Sequence, residues 1–243
     1  MARLGFVKEV DWVEFLIHIP DQEPEHLMKL TDRVRRHMDL TIRDLSDKKR
    51  LPQYLKDVFA LYNEAYQVLF GMVPLTPKQI EKYTHEFLPL VNNKTTCLVY
   101  NDRDEMVAFG VGAPSLSRAN QKTRGRLFPF GWITTLRALR GPNDRLDLFL
   151  IAVRPDLKGS GLNLIVVEDL LKKAIANGFK YAETGPQLEM NSNVLSQWRL
   201  FDTEQHKRRR CFIRMLDGSE PPRVTALDDL DELKAREQAK TGE

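Results

Sequence analysis

Apolar positions along this chain switch repeatedly between alternation and a spacing of three to four residues, the signature of strands interleaved with helices. Phe6, Val10, Trp12, Phe15, Ile17 and Ile19 predict one or two strands over residues 5–19, ended by Pro20. The spacing then predicts a helix over 24–37, a short strand over 40–45 and a long helix over 51–70. Thr76-Pro77 marks another helix start, because a threonine side chain caps orphan amides and proline suits the first turn. Residues 95–100 and 106–113 read as a hairpin across the polar turn 101–105, followed by a helix over 128–139. The rest reads as a strand over 147–153, a helix with Leu164, Val167, Leu170, Leu171 and Ala174 on one face, a strand over 179–183, a helix over 192–201 and a closing strand over 211–216 that extends back into a basic run. The order predicts an α/β fold.

The most pointed chemistry lies between the strand at 147–153 and the helix after it. Arg154-Pro155 stops the strand, and Lys158-Gly159-Ser160-Gly161-Leu162-Asn163 leads into the helix. Glycines there let backbone approach a ligand closely, the first helical amides have no intrahelical partner, and the helix dipole favours an anion. Lys158 and Arg154 add positive charge. A P-loop is excluded because no Gly-Lys-Ser/Thr closes the turn. A dinucleotide fold is disfavoured by a missing third glycine and by the turn's late position in the chain.

Val153-Arg154-Pro155 and the Lys158–Asn163 turn resemble the signature of the GNAT superfamily of acyl-CoA N-acyltransferases, with Lys158 in the Arg/Gln place and Asn163 departing from the final Gly/Ala. The resemblance spans roughly residues 40–216. It implies a mixed central sheet with splayed strands flanked by helices, and acyl-CoA as donor substrate. Ile151, Ala152 and Val153 would then offer backbone to pantetheine, and Lys158, Gly159, Ser160, Gly161, Leu162 and Asn163 would hold the pyrophosphate. A second family element is matched by Asn191 and Val194, but its tyrosine, which protonates the leaving thiolate, is replaced by Trp198; an indole donates no proton at neutral pH. Segments at the start, at 61–76, at 125–132 and at 206–212 further resemble the C-terminal portion of YghO-type bacterial GNAT-like proteins. That likeness makes residues 1–20 a strand pair from the end of a missing preceding half, residues 21–216 the acyltransferase domain, and residues 217–243 an acidic, flexible tail.

Composition narrows the classes. The 243 residues, 42% of them hydrophobic, suffice for one sizeable core, and the two cysteines, Cys97 and Cys211, read as buried thiols of a reducing compartment. No apolar stretch reaches membrane-span length and no secretory segment opens the chain, so a cytoplasmic location is expected. The net charge of +3 conceals a tail of −4 over residues 217–243 and a body of +7 over residues 1–216, and this basic body suits an anionic ligand such as a CoA phosphate but is too modest to imply nucleic acid.

For catalysis, an ammonium acceptor must lose a proton before attacking a thioester. Glu183 is the leading base candidate, with an ion pair to Arg208, Arg209 or Arg210 as the alternative. Asp147 and Glu189 are second choices, and His206 is a titratable candidate. Strand alternation puts His206, Arg208 and Arg210 on one side of the basic run and Lys207 and Arg209 on the other. Phe128, Phe130 and Trp132 would line an acceptor pocket or join the core. The expected function is N-acyl transfer to a small-molecule or peptide amine by direct attack, without a metal. The alternatives are a non-catalytic CoA- or anion-binding module and a FemX-like aminoacyl transferase. A homo-oligomer through the N-terminal strands is a further expectation.

Overall fold

A computed structural model describes residues 1–88 and 91–221, and the tail expected to be flexible lies almost wholly outside them. The elements run β1 (Val7–His18), α1 (Glu25–His37), β2 (Leu40–Ile42), α2 (Leu51–Tyr66), α3 (Pro77–Phe87), β3 (Thr96–Asn101) and β4 (Met106–Pro114). They continue with α4 (Ser117–Thr123), α5 (Gly131–Arg140), β5 (Arg145–Val153), α6 (Leu162–Ala176), β6 (Tyr181–Thr184), β7 (Gln187–Leu188), α7 (Ser192–Gln197) and β8 (Thr203–Ile213). Thr76 caps α3 in a reciprocal box with Gln79, as its position before proline implied.

The strands form one mixed sheet in which β2, β3, β4 and β5 pair antiparallel in order, and β5 and β6 pair parallel. β1 follows, bonded to β6 and β7 along one edge and to β8 along the other. Residues 7–18 are thus one strand rather than a pair, since nothing between Val7 and His18 can turn the chain. Both edges of β1 are occupied, so an oligomer joined through this segment has no unpaired edge there; β8 is the outer strand.

Alternating side chains feed two layers. Leu98, Tyr100, Phe109 and Ala152 pack under α2, and Cys97, Val99, Val107 and Ala108 pack under α6. Leu162, Ile165 and Val166 are fully buried, and each such side chain contributes about 1.5–3 kcal/mol. α1 lies against α6, where the buried Glu168 accepts from Thr31 at 2.8 Å, from Lys172 at 3.1 Å and from Arg35. Burial alone would raise the Glu168 pKa, but these donors outweigh it and hold the carboxyl below its ordinary value.

Several boundaries differ from the sequence expectation. α2 stops at Tyr66, ahead of a turn that places Gly71 at φ 73°. α5 begins at Gly131 rather than at residue 128, and α4 was not anticipated. At Gly131 a Cβ would lie 1.8 Å from the Arg126 carbonyl oxygen, so this close approach requires glycine. The closing strand starts at Thr203, because the basic run itself pairs with β1.

Candidate functional site: a splayed strand edge and the α6 N-terminus

β5 and β6 are hydrogen-bonded neighbours only where Arg145–Leu148 face Tyr181–Thr184. Beyond that, the Gly185 amide donates to the Leu148 carbonyl at 2.9 Å, and the chain then leaves toward β1 while β5 runs on to Val153 beside β4 alone. The sheet therefore splays. The Arg154 amide bonds the Val107 carbonyl at 2.9 Å, which fixes the phase of the ladder: the backbone of Leu150 and Ala152 faces β4, and that of Ile151 and Val153 faces the gap. Of the three residues expected to offer an edge, Ile151 and Val153 do, and Ala152 instead contributes a core methyl.

Tyr66, at the end of α2, donates its hydroxyl to the Ile151 carbonyl at 2.9 Å. Burial pushes the phenol up to about 12, so it stays protonated as a donor. The sequence offered no signal for this: spacing marks Tyr66 as one more core position of an amphipathic helix.

At the far end of β5, the Lys158–Asn163 turn places Gly159 at φ 80° and Gly161, the α6 N-cap, at φ 86°. The amides of Gly159, Gly161, Leu162 and Asn163 donate to no backbone carbonyl among the described residues. Lys158 is exposed and makes no ion pair among the described residues, whereas Arg154, the other cation expected beside the turn, is held by Asp156 at 2.8 Å and Glu105 at 3.1 Å. Gly161 also has a packing role, because a Cβ there would come within 2.6 Å of Val34 Cγ2 on α1.

A cavity of about 780 Å³ joins the gap to this turn. Ile151, Ala152, Val153, Lys158, Gly159 and Leu162 line it from one side, Asn163 and Asn191 from another; Ser160 and Gly161 do not. Its polar end holds a chain of amides. Asn163 donates to Gln197 at 3.5 Å, the Gln197 Nε2 is buried without a partner, and the Trp198 indole donates to Gln187 at 2.8 Å. Asn191 accepts from the Val194 amide at 3.3 Å, capping α7. Trp198, 4% exposed, is an apolar wall of the cavity.

The expected catalytic groups lie outside the cavity wall. Leu146, Leu148, Ala182 and Thr184 line the cavity, and alternation turns Asp147 and Glu183 to the other face of the sheet. There Glu183 pairs with Lys207 rather than with any of the three arginines expected, and it lies 4.0 Å from Arg145 and 3.8 Å from His206. Lys207 also reaches Glu14 at 3.5 Å, and Arg209 reaches it at 2.6 Å. Arg208 and Arg210 instead converge on the fully buried Asp11, which Arg210 above all holds well below the usual carboxylate range. His206 breaks the simple alternation. The register slips where Glu14 pairs with Lys207 and Phe15 with Gln205, so His206 is the extra residue of a bulge and points with Lys207. Glu189 is bound by Lys8 and Arg208. Asp147 alone among these carboxyls has no cation within ion-pair distance among the described residues, and burial pushes its pKa up. Phe128, Phe130 and Trp132 are exposed, neither core nor cavity lining.

Burial raises the Cys97 thiol well above its ordinary pKa, so it is not poised as a nucleophile. No described helix is long and apolar enough to cross a membrane.

A parallel strand pair that opens toward a glycine-rich helix start is the architecture of the GNAT acyltransferases, and the fold matches solved members. It superposes on a GCN5-related N-acetyltransferase from Sphaerobacter thermophilus with a TM-score of 0.55 at 13% identity, over 87% of this chain and 53% of that one. It also superposes on a tandem GNAT protein of the clavulanic acid biosynthesis pathway with a TM-score of 0.51 at 12% identity, over 87% of this chain and 55% of that one. In sequence, the chain resembles protein YghO of Escherichia coli strain K12, at 25% identity over 222 residues that make up 89% of this chain and 56% of YghO. The chain spans about half the length of these relatives. No family model matches it.

Proposed function

We propose that the chain is an N-acyltransferase that takes an acyl-CoA as donor and an amine as acceptor. The observation that carries this reading is the continuity of one cavity from the open edge at Ile151 and Val153 to the unpaired amides at the α6 N-terminus. A pantetheine amide needs a strand edge and a pyrophosphate needs helix amides, and the cavity supplies both. The Ile151 and Val153 amides would bond the pantetheine arm, and Gly159, Gly161, Leu162 and Asn163 would receive the pyrophosphate beside Lys158. Ser160, whose amide is given to the Leu157 carbonyl at 3.2 Å and which does not line the cavity, would take no direct part.

In the proposed reaction the acceptor ammonium gives one proton to a carboxylate, the free amine forms a C–N bond at the thioester carbon, and the C–S bond breaks; the proton left on nitrogen passes through solvent to the departing thiolate. Asp147 is the base in this reading, because burial raises its pKa and no cation lies within ion-pair distance of it among the described residues. Glu183 would act as its neighbour in register, holding Lys207 and His206 in place. The acceptor, a small molecule or a peptide, would approach from this carboxylate-bearing face.

A second reading, a CoA-binding module without turnover, is favoured by Trp198, which fills the acid's position and is fixed by Gln187. One experiment separates the two. Calorimetric titration with acetyl-CoA and a longer acyl-CoA is followed by a thiol-release assay across a panel of amines. Binding with acceptor-dependent thiol release supports the enzyme, and binding without release for any amine supports the module. A folded protein that binds neither CoA ester contradicts both.

A further inference from the structure

The insert between β4 and β5 has a surface that the donor site does not explain. From residue 106 to residue 143 the chain contains no aspartate or glutamate, but it carries Arg118, Lys122, Arg124, Arg126, Arg137 and Arg140. Arg118 is paired with Asp144, and the other five have no ion pair among the described residues. In their midst Phe128 is 81% exposed, Phe130 72%, Leu127 52% and Trp132 49%. Leu136 is exposed too, one turn along α5 from Trp132, and α5 buries none of its residues.

These side chains are not presented by loose chain. The Gly125 amide bonds Asn120 at 2.9 Å, the Arg126 amide bonds Thr123 at 3.0 Å, and the Trp132 amide bonds Leu127 at 2.8 Å. The Trp132 indole bonds the Pro129 carbonyl at 3.1 Å. A hydrogen-bonded turn thus holds large apolar groups outward, where they contribute nothing to the core. A contiguous exposed apolar patch marks a docking surface. Five cations with no ion pair among the described residues, in a segment without an acidic residue, favour a negatively charged partner, and a phenylalanine- and tryptophan-bearing turn beside arginines suits the headgroup–acyl boundary of a bilayer.

We propose that residues 122–140 dock this protein onto an anionic lipid surface, with Phe128, Phe130 and Trp132 entering the interface and Lys122, Arg124, Arg126, Arg137 and Arg140 meeting lipid phosphates. The inference is independent of the donor reading.

The test is co-sedimentation of the purified chain with phosphatidylcholine vesicles and with vesicles containing phosphatidylglycerol, read in parallel with tryptophan emission. Partitioning should favour the anionic vesicles by about tenfold or more and fall when salt is raised. Phe128→Ser with Phe130→Ser should abolish it, and Lys122→Ser with Arg126→Ser should weaken it at least about fivefold. All four positions are exposed, so both variants should keep the thermal unfolding midpoint of the native chain. Emission should shift to the blue on anionic vesicles, and Trp132→Phe should remove the shift. Three results would each overturn the proposal: no sedimentation with either vesicle, equal partitioning to both, or self-association in light scattering that the phenylalanine variant removes while vesicles bind nothing. The last would make the patch an interface between copies of the chain.

Discussion

Placing a carboxylate at Gly159 tests the anion site without disturbing the fold around it. Gly159 has φ 80°, and a Cβ there meets nothing within 4 Å, so Gly159→Asp costs about 1 kcal/mol of left-handed backbone strain and no steric clash. The corresponding change at Gly161 would confound the result, because its Cβ would press on Val34 at 2.6 Å and shift α1. A new unit charge roughly 6 Å from a phosphate, in a partly solvated site, opposes binding by about 1.4–2.8 kcal/mol, which is about a ten- to hundredfold loss in CoA affinity. Gly159→Asn makes the same backbone demand without the charge and should stay within about threefold of the native affinity. Calorimetric titration of CoA into the three proteins, at low and high salt, reads the difference. The Asp–Asn gap should narrow as salt rises. Equal affinities for two folded variants would mean that no anion sits beside Gly159, and the donor assignment at the α6 N-terminus would fall.

The remaining predictions concern the edge, the base and the α1–α6 contact. Tyr66→Phe leaves the Ile151 carbonyl unsatisfied and should cost about 1–3 kcal/mol in the free protein. If a pantetheine amide can reach that carbonyl, acyl-CoA should raise the variant's melting temperature more than it raises the native one; identical increments would show that the carbonyl lies off the donor path. Asp147→Asn should leave CoA affinity within about twofold and lower turnover about 10²-fold or more, whereas Glu183→Gln should lower it less. A fully active Asp147→Asn protein would remove the base assignment. Glu168→Ala leaves Arg35 and Thr31 without their buried acceptor and should destabilise the domain by about 3 kcal/mol in denaturant unfolding. Because the folded pKa of Glu168 is lowered, its contribution is present above the unfolded value of about 4.3 and is lost as pH falls through the folded one. Native and variant stabilities should therefore converge in acid, and a constant difference across pH would mean that packing, not charge, accounts for the loss.

Local rules made much of this molecule legible. The apolar periodicities located α1, the β3–β4 hairpin, β5 and α6, and the Thr76-Pro77 cap located α3, because each follows from residues near one another in the chain. The glycines of the Lys158–Asn163 turn announced a helix start open to an anion, since a left-handed backbone is a property of the residue itself. The order of elements was enough to suggest the GNAT fold. Only tertiary structure decided matters that depend on distant partners. It placed the N-terminal strand inside the sheet, a pairing between residues about two hundred positions apart that no local pattern encodes. It set Asp11 opposite Arg208 and Arg210 and Glu183 beside Lys207, and a one-residue bulge turned His206 to the side of Lys207. It set Tyr66 against the free edge of β5 and left the aromatic insert uncovered, where apolar content alone is equally consistent with core. Sequence fixes what each segment prefers to be. Which charges meet, which edge stays open and which apolar surface finds no cover are settled by long-range packing.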